Sequence, residues 1–182
     1  DNDIFLGTWC LKNFKDFLTA KNKNQFVPYH WDDRVKFHDD YFYLDALYEK
    51  NLSRFSNLLN AIHKVDNNVD YWRIIIGPWL RYCLDALFDR YECIRLAMES
   101  GKICNYNLGN YEIKDWCPKD FSSFWVEFLT DEWNEVIFSE CIKYHQLPFS
   151  NNDKMFLRPQ RSKHSKSINK SYKYLLKTIF NI

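Results

Sequence analysis

Glycine and proline are scarce in this chain, four and five residues in 182, which excludes collagen-like and low-complexity classes. No Cys-x-x-Cys pair occurs among the six cysteines at 10, 83, 93, 104, 117 and 141, so neither a zinc framework nor a dense disulfide scaffold is indicated. Cys83 and Cys93 fall inside an apolar helical pattern, where cysteine behaves as a small hydrophobe, and a reducing, cytoplasmic setting is expected. No apolar run approaches the ~20 residues of a membrane span, and no signal peptide is visible. The glycine-rich dinucleotide and phosphate loops, the nucleophile elbow, the His-Glu-x-x-His helix and the EF-hand pattern are all missing. The motifs therefore predict no cofactor and no metal.

Acidic residues are missing from one end. From Lys154 onward there are eight Lys and Arg and no Asp or Glu, leaving 17 basic against 24 acidic residues before it. Body and tail thus carry opposite charge under a net +1. A tail of this kind folds back, meets an acidic partner, or stays solvated. The chain opens on Asp1 rather than Met and is read as a piece of a longer protein.

What the chain has in quantity is aromatic residues, 19%, with seven Trp, inside a 46% hydrophobic composition. Its length suits one sizeable core. Apolar residues at Tyr41, Leu44, Tyr48, Leu52, Phe55, Leu59 and Ile62 recur at spacings of 3 and 4, the stripe of an amphipathic helix of about eight turns. Asp32 or Asp33 is its expected N-cap. After a turn at 65–69, capped onward by Asp70, a second stripe runs through Trp72, Ile76, Trp79, Cys83, Leu87, Tyr91, Ile94 and Met98. Gly77-Pro78 interrupts it. Either the helix is continuous and kinked there, or Tyr71–Ile76 is a strand and Pro78 opens the helix. The short turn makes the two helices antiparallel neighbours.

A third helix is expected to start at Pro118 and Asp120 and to end before Pro148, with Phe124, Phe128, Leu129, Trp133, Val136, Ile137, Cys141 and Tyr144 inward. Residues 3–10 read as a buried strand, with Gln25–Val27 and Asn110–Lys114 as weak companions. Lys12–Asn24 reads as a short helix and loop, Ser150–Ser167 as a polar, basic linker, and Ser171–Phe180 as a last amphipathic turn or two. The division is a helical domain over 1–149 and a basic segment over 150–182.

Two stretches concentrate chemistry. In Phe26–Arg34, His30 stands beside Asp32, Asp33 and Arg34, so an imidazole and carboxylates can supply a general base or bind a metal. The plainer reading makes the aspartates helix caps. In Tyr71–Arg81, Arg73 and Arg81 are two helical turns apart on one face and flank Gly77, a fork suited to phosphate or carboxylate. The plainer reading pairs them with Asp70 and Asp85. Asp131-Glu132-Trp133-Asn134 can hold a hydroxylated ligand or form a solvated face with Trp133 in the core. The two aromatic stretches are expected to converge on one hollow.

Four segments carry a resemblance: Phe5-Leu6-Gly7-Thr8-Trp9-Cys10, Val27-Pro28-Tyr29-His30-Trp31-Asp32-Asp33-Arg34, Tyr71 to Leu80, and Asp131-Glu132-Trp133-Asn134. Over roughly 3–140 the chain resembles the N-terminal region of a family of transferases associated with bacterial O-antigen and surface-polysaccharide biosynthesis. The resemblance implies a mainly α chain that is the N-terminal part of a larger α/β, two-domain Rossmann-like enzyme whose second domain holds the nucleotide-sugar donor. A sugar transferred to a glycan acceptor is the implied reaction, with a non-catalytic helical interaction module as the alternative. Residue chemistry then gives His30 and Asp33 as catalytic candidates. Trp9, Trp31 and Trp79 offer sugar-stacking faces, and Arg34, Arg73, Gly77 and Arg81 line the binding side.

Overall fold

The computed structural model describes residues 4–11, 14–22, 25–101 and 105–155. Among them are α1 (Phe14–Asn22), α2 (Arg34–His63), α3 (Val69–Glu99), β1 (Tyr106–Asn110), α4 (Phe121–Glu127), α5 (Asp131–Tyr144) and β2 (Phe149–Met155). The chain is mainly helical. The expected segments within 156–182, the terminal amphipathic turn included, lie outside the described residues.

Asp33 starts α2: its Oδ1 accepts from the amides of Val35 and Lys36, two donors the helix itself leaves unmatched. Lys64 ends it in the left-handed conformation. Asn60 then clamps the connection. Its side chain bonds Asn67 at both backbone atoms and accepts from the Trp72 indole at 2.8 Å. Asn68, not Asp70, caps α3, because its Oδ1 sits where it can accept from Tyr71 N. Cross-helix pairs Asn60 with Trp72, Glu49 with Arg73 and Lys36 with Glu92 run in opposite sequence directions, so α2 and α3 are antiparallel.

Of the two readings of Gly77-Pro78, the continuous helix is the one observed, with Pro78 inside α3. Proline leaves the Ile74 carbonyl without its helical donor. Ile74 is on the solvent side, 78% exposed, so water can satisfy that carbonyl. Gly77 has a separate effect: a Cβ there would stand 2.7 Å from the Tyr48 hydroxyl, so glycine lets the end of that side chain lie against α3.

The core lies where α3 meets α2 and α5, around Leu52, Leu80, Leu84, Leu87, Ile94, Phe124, Trp133 and Ile137. The α2 stripe is inward only in its middle. Leu44, Leu52 and Phe55 are buried, whereas Tyr41 and Ile62 at its ends are more than half exposed.

Four expectations are corrected. The run expected as a strand forms none over its described residues 4–10: Phe5 makes one isolated parallel bridge with Phe26, and a 3-10 turn follows at Thr8–Cys10. The third helix is two, because Thr130 accepts from Trp133 N and restarts the chain as α5. Asn110–Lys114 is displaced: β1 ends at Asn110 and a 3-10 turn begins at Ile113. The polar stretch from Ser150 holds most of β2, which pairs parallel with β1 in the register Tyr106 to Phe149 and Leu108 to Asn151. A strand rich in Asn and Ser exists because a partner strand is there, not because its composition asks for one. The parallel pair is joined through α4 and α5, since parallel strands need a long crossover.

Candidate functional site

The turn His30–Asp32 lies against the middle of α3 and the start of α2. His30 is 3% exposed, and its Nε2 is 3.0 Å from Asp89 Oδ1. The Tyr29 hydroxyl donates to the same oxygen at 2.8 Å. Arg90 donates to Asp89 Oδ2 at 2.7 Å and, through Nε, to Asn134 Oδ1 at 2.9 Å. Asn134 is fixed in turn by donating to the carbonyls of Thr130 and Phe128. Burial pushes the Asp89 carboxyl up, but the His30 hydrogen bond, the Arg90 charge and the Tyr29 hydroxyl outweigh it and hold it below its ordinary range.

A second layer lies beside the first. Trp31 donates its indole N–H to Asp40 Oδ2 at 3.1 Å, and Lys36 bridges Asp40 at 2.8 Å and Glu92 at 2.9 Å. Arg95 grips Glu92 with two bonds of 2.8 Å. Burial opposes the Glu92 charge, yet Arg95 and Lys36 hold that carboxyl low. The Trp31 ring stacks on Phe88 and meets Phe37 edge-on. Nδ1 of His30 is the member left over. It is buried without a hydrogen bond, with Asp40 Oδ2 at 3.8 Å.

His30, Asp89 and Cys93 present donor atoms within 4.8 Å of one another, close enough for a cation. Their chemistry argues for the hydrogen-bonded state. Asp89 Oδ1 already serves Tyr29 and His30, a guanidinium occupies Oδ2, and burial pushes the Cys93 thiol up to about 12.

The family model of the LIC12162 family transferases matches residues 1–182. The chain belongs to that family. No curated protein and no solved structure matches it. In this LIC12162 family transferase, no helix among the described residues is long and apolar enough to cross a membrane.

The second stretch is elsewhere. Arg73 donates through Nη2 to Glu49 Oε2 at 2.9 Å, and Arg81 donates to Asp45 Oδ1 at 3.0 Å. Both guanidiniums lie over the Tyr48 ring at 5.8 Å, the ring that covers Gly77. Gly77 and Asp89 are twelve residues apart on one helix, about 18 Å at 1.5 Å per residue. The expected common hollow is therefore not found: the His30 turn and the arginine pair sit at different levels of the α2–α3 interface.

The remaining candidates are distributed as follows. Asp33 is spent on the α2 cap, and exposed Arg34 lies over the Phe37 ring. Trp79 is half-buried, edge-on to Phe55 and Phe124. Trp9 belongs to the Thr8–Cys10 turn, and its side chain is outside the described set. In the Asp131–Asn134 segment, Trp133 is core and Asn134 reaches the Arg90 guanidinium, while Asp131 and Glu132 are exposed.

Two of the resembling segments, Tyr29–Trp31 and Asn134, thus meet through Asp89 and Arg90, which sequence reading passed over. A signal was present. Ala86, Asp89, Cys93 and Ala97 follow one another at helical spacing, and all are buried. A carboxylate in a stripe of small residues marks a place where another element approaches closely and brings a partner.

Proposed function

We propose that this chain is the N-terminal part of a glycosyltransferase-like enzyme of surface-polysaccharide biosynthesis, moving a sugar from an activated donor to a glycan acceptor. Membership of a transferase family supports group transfer. A parallel strand pair joined through helices is a unit of α/β architecture, which agrees with a larger α/β enzyme. The donor site is assigned to sequence beyond this helical part.

The observation that carries the chemistry is the state of His30. Asp89, ionised, can only accept, so Nε2 is the donor, and in the neutral imidazole the lone pair is on Nδ1. An imidazole oriented by a carboxylate, with its other nitrogen free, is the arrangement of a general base. An acceptor hydroxyl would pass its proton to Nδ1. The nitrogen is buried beneath the Trp31–Asp40 hydrogen bond, so an acceptor reaches it only when that bond opens. Trp31 and Phe37 then offer apolar faces to the sugar ring, and Asp33 fixes the turn through its cap.

The test is His30→Gln in an active, full-length enzyme. The expected result is a kcat lower by about 10²–10⁴-fold with KM little changed, and an unaltered circular dichroism spectrum. An unchanged kcat removes His30 from the chemistry. The second reading, a non-catalytic module that docks partners, is favoured by one observation, the exposed apolar residues along α3 and α4. It predicts that isothermal titration with nucleotide sugars shows no binding.

A further inference from the structure

The solvent side of α3 is not polar. Tyr71, Ile74, Ile75 and Tyr82 project from it, exposed by 45% or more, with Pro78 between them. At 100° per residue they fall within one third of the helix circumference, a single stripe. Tyr82 continues it onto α4 through an edge contact with Trp125 at 4.8 Å, and Leu129, 66% exposed, extends it further. An amphipathic helix ought to carry charge on this face. A continuous apolar surface there marks something that covers it.

We infer that the cover is the chain's own segment 171–180. Its apolar residues Tyr172, Leu175, Leu176, Ile179 and Phe180 stand at offsets 0, 3, 4, 7 and 8, which is one helical face. Lys170, Lys173 and Lys177 fall together on the adjoining flank at the same period. The charges are complementary. Residues 156–182 hold seven basic and no acidic residues, against 18 basic and 24 acidic in 1–155. Exposed Asp131 and Glu132, just past Leu129 and Thr130, give the face an acidic edge. Reach is sufficient, because the 15 residues between Met155 and Ser171 span up to about 50 Å when extended. The inference does not depend on the chemistry assigned to His30.

Hydrogen exchange read by mass spectrometry on the full 182-residue chain tests it, with Ile75→Asp and Leu176→Asp as variants. Ile75 is already exposed, so the fold does not depend on it, and far-UV circular dichroism checks that it holds. Peptides over 171–180 are expected to be protected in the unaltered chain. Each variant should lower protection on both 171–180 and the exposed side of α3, by about tenfold or more, as for losing the burial of one aliphatic side chain. Exchange of 171–180 at unstructured rates in the unaltered chain overturns the inference. So does protection that Ile75→Asp leaves untouched, or protection that grows with protein concentration alongside a dimer in light scattering, which assigns the face to a second copy.

Discussion

Two places along the α2–α3 interface use the same vocabulary, ring, guanidinium and carboxylate, to different ends. Around His30 the groups are buried. One carboxylate, Asp89, gathers an imidazole, a phenol and a guanidinium, and Arg90 passes the connection on to α5 through Asn134. Around Tyr48 the ring and guanidiniums are half-buried and the carboxylates exposed. Arg73 and Arg81 flank one ring, and each pairs with a carboxylate of α2 whose side chain is more than half in solvent. In water an ion pair gives up good solvation for a modest attraction, whereas away from water every polar group must be answered. The buried set therefore specifies where the His30 turn lies. The Tyr48 set trims an interface that the core has already placed.

The largest consequence is for Asp89. Asp89→Ala strands His30, Tyr29 and Arg90 together, and removing one partner of a buried charged pair costs about 3–5 kcal/mol. Urea denaturation should read that loss, with Asp89→Asn, which keeps the shape but not the charge, falling between. A loss of only a few tenths in Asp89→Ala would place this cluster in the same class as the Tyr48 stack.

Acid should single out the buried set as well. Asp89 and Glu92 both have folded pKa values below their ordinary ones, so the unfolded chain takes up protons first as pH falls. Their contribution is complete above the unfolded carboxyl values near 4 and is lost as pH falls through the folded values. Stability measured from pH 7 downward should therefore stay level until about pH 4 and then drop. The acid limb should be shallower in Asp89→Asn, and an identical limb in that variant would remove Asp89 from the account.

This contrast also explains what could be read beforehand. The two long helices, their antiparallel packing and the cap at Asp33 follow from local spacing and from one side chain, so the sequence displays them. The His30 cluster does not. His30 and Asp89 are 59 residues apart, and a carboxylate in a helix looks like surface until another element covers it. The arginines were legible in part. Their plainer pairing with Asp70 and Asp85 is present at 3.6 and 3.5 Å, but their closer partners, Glu49 and Asp45, come from a neighbouring helix and could not be read. β2 was hidden because Ser150-Asn151-Asn152 has loop composition, and only its pairing with β1 makes it a strand.

The smallest effect belongs to Arg81. Its side chain is 29% exposed and its Asp45 partner 58%, so Arg81→Ala should cost about 0.2–1 kcal/mol. Part of that cost is not electrostatic, because the guanidinium also covers the Tyr48 ring. Salt separates the two contributions. Raising ionic strength from about 0.01 M to about 1 M shortens the screening length from about 30 Å to about 3 Å. The ion-pair share should fade over that range while the ring contact remains. If Arg81→Ala costs several kcal/mol and the cost ignores salt, the Tyr48 stack is as structural as the buried cluster, and burial is not what distinguishes the two.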